Sequence, residues 1–333
     1  MPTISPTTRQ RLRWKHFEQL VETATGGAVQ VEVFGNGALG GEVEAAQQAR
    51  AEKTIQSVML GSGTQASFYR NYRNDHGAVS LPDYRTAWAF FDSAWFAEFM
   101  KPMVAESGLR YLGTLDDGGG FVAFANNKRL IKTVEDLKGM RIRVEENQAH
   151  MTIMRALGAA PTPLPWGELQ TGLATGLVDG HFHAPGVNDI FKLYDVTDYT
   201  TWSGHVYNTI TWSVSEAWFK DLPRDYQEII VASAREAVAM AHGIATQITV
   251  VGWVNSCEKF KECHVLSDAE RCGCATSRNR STATGSWRNS ARRRSCSMTC
   301  APRSIAFIKA SDRQISSGIW TDDGPQRHVP LVA

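Results

Sequence analysis

Apolar residues recur along this chain in two alternating periods, one near 3.6 and one of 2, the signatures of helix and strand. Thr8 to Thr25 reads as an amphipathic helix with Leu12, Phe17, Leu20 and Val21 on one side. Val29 to Phe34 alternates as a strand, broken by Gly35, Gly37, Gly40 and Gly41, and Glu42 to Glu52 returns to a helical pattern. Ile55 to Leu60 is a strand running into the loop Gly61-Ser62-Gly63, and Arg85 to Ser107 is one helical stretch dense in aromatics. Arg110 to Leu115 and Phe121 to Ala125 are strands on either side of Gly118-Gly119-Gly120. Beyond them come a short helix at Thr133 to Leu137, a strand at Met140 to Val144, and helices at Met151 to Leu157 and Trp166 to Ala174. Strands at Val178 to His183 and Val206 to Val214 precede a long helix from Arg224 to about Val251. Strands alternating with helices predict an α/β fold with parallel-rich sheets flanked by helices.

Length and charge sharpen this picture. At 333 residues the chain exceeds the usual size of one core, so two lobes are expected. A net charge of +1 argues against a nucleic-acid partner. No run approaches the ~18–20 consecutive apolar residues that span a bilayer. The N-terminal stretch has no apolar core of a secretory signal, so the chain by itself reads as soluble and starting in the cytoplasm.

Cysteine placement marks a change of character. Residues 1–256 contain none, whereas Cys257, Cys263, Cys272, Cys274, Cys296 and Cys300 crowd the last quarter. A zinc site would use Cys272, Cys274, Cys296 and Cys300, but its first pair is C-x-C rather than C-x2-C. No metal and no cofactor is expected. From Cys272 to Lys309 there is no Asp or Glu, while Arg, Ser, Thr and Cys dominate. One reading is a basic RNA-binding tail. The favoured one is a shifted reading frame. Back-translating Thr282 to Ser304 with one permissible codon choice, and reading two nucleotides further on, gives an acidic amphipathic helix without a stop. Residues 272–333 are therefore expected to be an anomalous tail that carries no site.

Three long motifs stand in order before that break: FGNGALGGEVEAAQQ (34–48), KRLIKTVEDLKGMRIRV (128–144) and ALGAAPTPLPWGELQTGLATGLVDG (156–180), followed by SGHVY (203–207). Together they resemble the DctP-like solute-binding proteins of TRAP (tripartite ATP-independent periplasmic) transporters over roughly residues 10–271. The resemblance implies a two-lobed periplasmic-binding-protein fold that closes by a hinge over a small organic acid. It also implies membrane subunits of the transporter as partners, a periplasmic location and no catalysis. Lobe I is assigned to residues 1–120 with 205–250, and lobe II to 121–204 with 251–271. The family's signal peptide and first strand have no counterpart before Pro6.

Arg143 matches the family's carboxylate-binding arginine. Independently of that match, Met140, Ile142 and Val144 share one face of their strand while Arg141 and Arg143 share the other. Arg143 also lies near the strand's carboxyl end, where open α/β sheets bind ligands. Its planar fork matches a carboxylate in a way Lys does not. Trp166 sits where the resemblance puts an aromatic against the ligand's carbon skeleton, although a core tryptophan is an ordinary alternative. His183 takes the place of the family's usual Asn, and could donate to a carboxylate or add charge as imidazolium. In that role, affinity would rise as pH falls through roughly 6.5. Ser62 and Asn208 are weaker pocket candidates. A second arginine found in some members is absent, since Val122-Ala123-Phe124 carries no charge, which favours a monocarboxylate or a more apolar acid.

Two other functions compete. His181-x-His183 puts two imidazoles on one strand face, as in some metal hydrolases, with Asp179 and His205 as further ligands. No H-E-x-x-H, G-x-S-x-G or phosphate-loop pattern accompanies them. A cytoplasmic carboxylate sensor is the third possibility.

Overall fold

A computed structural model of the chain describes residues 6–35, 38–51, 55–72, 81, 83–145, 148–267 and 270. The anomalous tail and the candidate zinc cysteines lie outside the described residues. The N-terminal helix α1 (Pro6–Ala24) lays Trp14 and Phe17 edge-on against Trp212, with ring centroids 5.3 and 4.7 Å apart. Val29 to Phe34 is not a strand. Val29 and Val31 pack on a core cluster and Val33 and Phe34 are exposed, but among the described residues no strand lies alongside to complete a ladder. Helix α2 (Glu42–Ala51) then leads to β1 (Ser57–Gly61) and directly to α3 (Ser62–Phe68).

The helical stretch expected as one unit is three: α4 (Tyr84–Phe91), α5 (Ala94–Met100) and α6 (Met103–Ser107). The Ser93 side chain caps α5 by accepting from the Phe96 N–H at 3.1 Å, and Pro102 interrupts the next junction because it has no N–H to donate. Two long strands dominate the remainder of the fold, β2 (Leu109–Asn126) and β6 (Tyr199–Ser215). Between them come β3 (Arg141–Val144), α7 (Gln148–Ala156), β4 (Ala160–Pro163), α8 (Leu169–Ala174), β5 (Gly180–His183) and α9 (Pro185–Ile190). Helices α10 (Glu216–Asp221) and α11 (Arg224–Cys257) and strand β7 (Glu262–Val265) complete the described elements. A disulfide between Cys257 and Cys263 ties the end of α11 to β7.

The strand order is β1-β6-β2-β5-β3-β4, with β7 also on β6. The sheet is mixed rather than parallel-rich. β3 runs parallel to β4 and β5, and β7 parallel to β6, but β2 is antiparallel to β5 and β6, as is β1 to β6. Because β2 and β6 are so long, each serves two cores. Leu109 and Phe121 enter one with Leu60, Tyr69 and Met100; Val122 and Phe124 enter another with Leu137, Ile142 and Phe182. This gives the two-lobed α/β architecture.

The glycine triplet does not divide β2 into two strands but forms a bulge within it, between the pairings Asp116↔Thr209 and Phe121↔Tyr207. Gly118, Gly119 and Gly120 have φ of +56°, +118° and +78°, a region that residues with a Cβ rarely adopt. The bulge passes close beneath α11, where a Cβ on Gly119 would run into the Thr249 hydroxyl. Tyr84 and Thr249 both donate to the Gly119 carbonyl, at 2.7 and 3.2 Å. Helix α11 is long and apolar enough to cross a membrane, yet its Ala234, Ala237, Ala241, Ala245 and Ile248 face is buried in the core. Beside the bulge, His242 lies between Asp116 (3.0 Å) and Asp92 (3.4 Å) and stacks on Trp88. Burial pulls its pKa down, but the bonds to the two carboxylates outweigh that and raise it to about 9.

Two stability measurements test this packing. Gly119→Ala meets both the left-handed backbone and Thr249, and should cost about 2–4 kcal/mol in urea unfolding. Gly139→Ala, at φ +73° with nothing within 4 Å of the new methyl, should cost only about 1 kcal/mol. Equal losses would contradict the close approach. For His242, a raised folded-state pKa means its stabilisation is complete below the unfolded value near 6.5 and lost as pH rises through about 9. The fall in melting temperature from pH 7 to 10 should therefore shrink in His242→Gln; an identical pH profile in the variant would refute the assignment.

Candidate functional site

The site grows from the carboxyl end of β3. Pairing of Arg143 with Thr162 on β4 and with His181 on β5 fixes the pleat. Arg141, one pleat earlier, is taken by Asp179, with bonds from Nε and Nη2 at 3.0 and 2.6 Å. These bonds come first among the causes that hold the Asp179 carboxyl down to about 2. Arg143 is 3% exposed. Its Nε donates to the Leu164 carbonyl at 2.9 Å, and its Nη1 lies 3.2 Å from His183 Nε2. Among the described residues no carboxylate lies within 4 Å of this guanidinium. Burial lowers its pKa, while Glu145, Glu42 and Asp117 pull the other way. Unlike the arginines of the surface, it is buried and, among the described residues, has no ion-pair partner.

The histidines explain how it is held. His183 Nδ1 is 2.9 Å from His181 Nδ1. A guanidinium only donates, so His183 Nε2 accepts from Arg143 and its proton sits on Nδ1, donated to His181. His181 is then protonated at Nε2, a buried atom without a partner. An imidazolium at His183 would turn an N–H toward Arg143. Burial first, then His181, Arg143 and His150, depress the His183 pKa well below 6.5, and burial and Arg143 bring His181 down to about 3. The donor role expected of His183 is therefore unavailable in this arrangement: both ring nitrogens are committed, and the ring positions Arg143 instead.

Around Arg143 a small cavity is lined by Glu145, His150, Phe182, His183 and Asn208. Asn208, from β6, is 2% exposed and its Oδ1 has no partner. Trp166 is half-buried, its ring 5.1 Å from that of His183 and 6.0 Å from the Arg143 guanidinium. Ser62 opens α3, buried with an unpartnered hydroxyl. Arg143, His183 and Asn208 are thus brought together, Trp166 flanks them, and Ser62 lies one residue before Gly63, whose N–H Glu145 accepts at 2.6 Å. Glu42 accepts from Gly61 at 2.9 Å. Reasoning from the sequence missed Glu42, Glu145, Asp117 and His150. The signal for Glu145 was present, because residues 141, 143 and 145 share one side of the strand path.

The hydrolase constellation does not assemble. Asp179 is bound to Arg141, and His205 Nδ1 bonds Ser203 Oγ at 2.7 Å while its ring stacks on Phe124. Among the described residues no group of three His, Cys, Asp or Glu side chains could hold a metal ion.

Two lobes joined by long strands, with a buried guanidinium that has no carboxylate partner among the described residues and faces a small polar cleft, define a solute-binding protein. The family model of bacterial extracellular solute-binding protein family 7, DctP, matches residues 2–276. The chain belongs to this family. It is 30% identical over 227 residues to a solute-binding protein of Verminephrobacter eiseniae, covering 67% of this chain and 66% of that protein. It is 27% identical to the 2,3-diketo-L-gulonate-binding periplasmic protein YiaO of Escherichia coli, over 70% of each. The chain thus spans about two thirds of the length of these relatives. The crystal structure of the sugar acid binding protein DctPAm from Advenella mimigardefordensis with galactonate superposes with a TM-score of 0.75 at 25% identity, covering 82% of this chain and 86% of that one.

Because His183 is neutral and stays so, its protonation contributes nothing to ligand affinity between pH 5.5 and 8. Calorimetric titration across that range should show no rise in affinity near pH 6.5, contrary to the expectation from sequence. His183→Asn should retain folding but weaken binding about tenfold or less by loosening Arg143. A tightening below pH 6.5 that disappears in His183→Asn would overturn the neutral assignment.

Proposed function

We propose that this protein captures a small organic carboxylate between its lobes and delivers it to the membrane subunits of a TRAP-type transporter. The observation that carries the reading is Arg143, a buried guanidinium with no carboxylate within hydrogen-bonding reach among the described residues, fixed by a backbone carbonyl and a neutral histidine. A buried cation of this kind calls for an anionic partner, and the bidentate fork selects a carboxylate. A relative named for 2,3-diketo-L-gulonate and a similar sugar acid binding protein solved with galactonate support the choice. Lobe I is taken as residues 1–120 with 205–250 and lobe II as 121–204 with 251–271, with Trp166 against the ligand's carbon skeleton and Ser62 and Asn208 as polar contacts. A periplasmic setting fits the relatives and the Cys257–Cys263 disulfide, a bond that persists in oxidising compartments. Family members are solute-binding proteins, and the reading assigns no catalytic step.

The test is binding of an organic-acid panel to Arg143 variants by thermal shift and calorimetry. Arg143→Ala should lose about 1.5–3 kcal/mol, roughly 10- to 150-fold in affinity, and Arg143→Lys should recover little. Arg141→Ala serves as the control, since it breaks the Asp179 pair outside the cleft. If Arg143→Ala binds the best acid as tightly as the parent, the site assignment is wrong.

A further inference from the structure

The cleft is more acidic than a site for a simple acid should be. Glu145 follows β3, Glu42 begins α2, and their carboxylates converge beside Gly61. Glu145 Oε1 and Glu42 Oε2 each lie 3.4 Å from the point where a side-chain carbon would leave that glycine. Asp117, from the β2 bulge, is close enough to both to feel their charge. Burial, then Glu145 and Glu42, push its carboxyl up to about 7. Against these three carboxyls stand, among the described residues, two cations: Arg13, which acts on Asp117, and Arg143; the histidines beside Arg143 are neutral. A ligand bearing only a carboxylate would satisfy Arg143 and at the same time add a negative charge to a cleft already in deficit of positive ones.

A second observation comes from hydrogen bonding. Asn208 is 2% exposed, lines the same cavity as Arg143 and Glu145, and its Oδ1 has no partner. Ser62, 2% exposed between Gly61 and Gly63, has an unpartnered hydroxyl. A carboxylate can only accept hydrogen bonds, so with the Asn208 amide in this orientation it leaves the amide oxygen unsatisfied. A metal ion is not the missing charge, since among the described residues no three ligating side chains are arranged for one. A ligand that brings its own cation and its own N–H donors answers both the excess of carboxyls and the unpartnered Asn208 oxygen.

We infer that the solute is amphoteric, its carboxylate held by Arg143 and a cationic nitrogen lying among Glu145, Glu42 and the Asn208 oxygen. This rests on the carboxylate-capture reading and narrows its substrate class. Glu145 is then a specificity-determining residue: it rewards ligands with a cation and penalises plain acids. Trp166, half-buried, has its ring 6.0 Å from the Arg143 guanidinium, beside the carboxylate end.

The experiment uses the full chain and pairs of probes that differ only in replacing a cationic nitrogen by carbon. These are L-proline against cyclopentanecarboxylate, 4-aminobutanoate against pentanoate, and glycine betaine against 3,3-dimethylbutanoate. Calorimetry should give the better-fitting zwitterion at least about tenfold tighter binding than its carbon counterpart. Glu145→Gln should reduce that ratio to about threefold or less, chiefly by improving binding of the plain acid. Betaine, which has charge but no N–H, should bind more weakly than the best N–H donor. A plain acid that binds as tightly as its zwitterion overturns the inference, as does a ratio unchanged by Glu145→Gln. The two levels separate through Arg143→Ala. If that variant weakens the plain acid, carboxylate capture stands and only the cationic end is wrong. If it does not, both fall.

Discussion

A guanidinium removed from water, with no ion-pair partner among the described residues, is the constraint to which the rest of this structure answers. Burying a charge costs several kcal/mol unless hydrogen bonds and an opposite charge offset it. Here the protein supplies the hydrogen bonds, from the Leu164 carbonyl and His183, and leaves the opposite charge to come from outside. The short parallel run β4-β3-β5 is what makes this possible. It delivers Arg143 at a strand's carboxyl end and brings His181 and His183 alongside on the neighbouring strand. Two neutral imidazoles in series give a fixed, dry support that adds no competing charge.

The second requirement is that the two faces of the cleft belong to different cores yet stay in register. β2 and β6 meet it by running through both. Where β2 passes from one core to the other, the glycine bulge lets the backbone turn beneath α11 without a side chain in the way. Gly186 and Gly252 repeat the device one layer out, the backbones of α9 and α11 approaching so closely that a Cβ on Gly252 would sit 2.7 Å from Gly186 Cα. The acidic rim of the cleft hangs from the first core, at Glu42 and at the Gly61–Gly63 N–H groups, whereas Arg143 belongs to the second. The Glu145 contact to Gly63 therefore joins the two faces of the cleft.

Much of this is legible in the sequence wherever local pattern decides the outcome. The strand before Glu145, its apolar even positions and the outward Arg141 and Arg143 all come from a period of 2. The two histidines on one face of β5 arise in the same way. What escapes the sequence depends on neighbours distant along the chain. The mixed sheet is invisible there, because nothing local in Arg110 to Ala125 says that a glycine triplet will be a bulge within one strand and not a turn between two. Val29 to Phe34 alternates as a strand should, but a strand needs an adjacent edge. The role of His183 inverts for a related reason: an imidazole donates or accepts according to its partners, and both of its partners are 2 to 40 residues away. Glu145 is within reach of the pattern, on the same pleat as Arg143, yet a lone glutamate just past a strand reads first as a solvated loop residue.

The most direct test of the account is where an acid's carboxylate sits in a crystal of the complex. The tightest-binding acid should place both carboxylate oxygens about 2.7–2.9 Å from the terminal nitrogens of Arg143, with His183 still within hydrogen-bonding distance of the guanidinium. An acid bound with its carboxylate elsewhere, or Arg143 turned into an ion pair with Glu145 while ligand occupies the cleft, would contradict it.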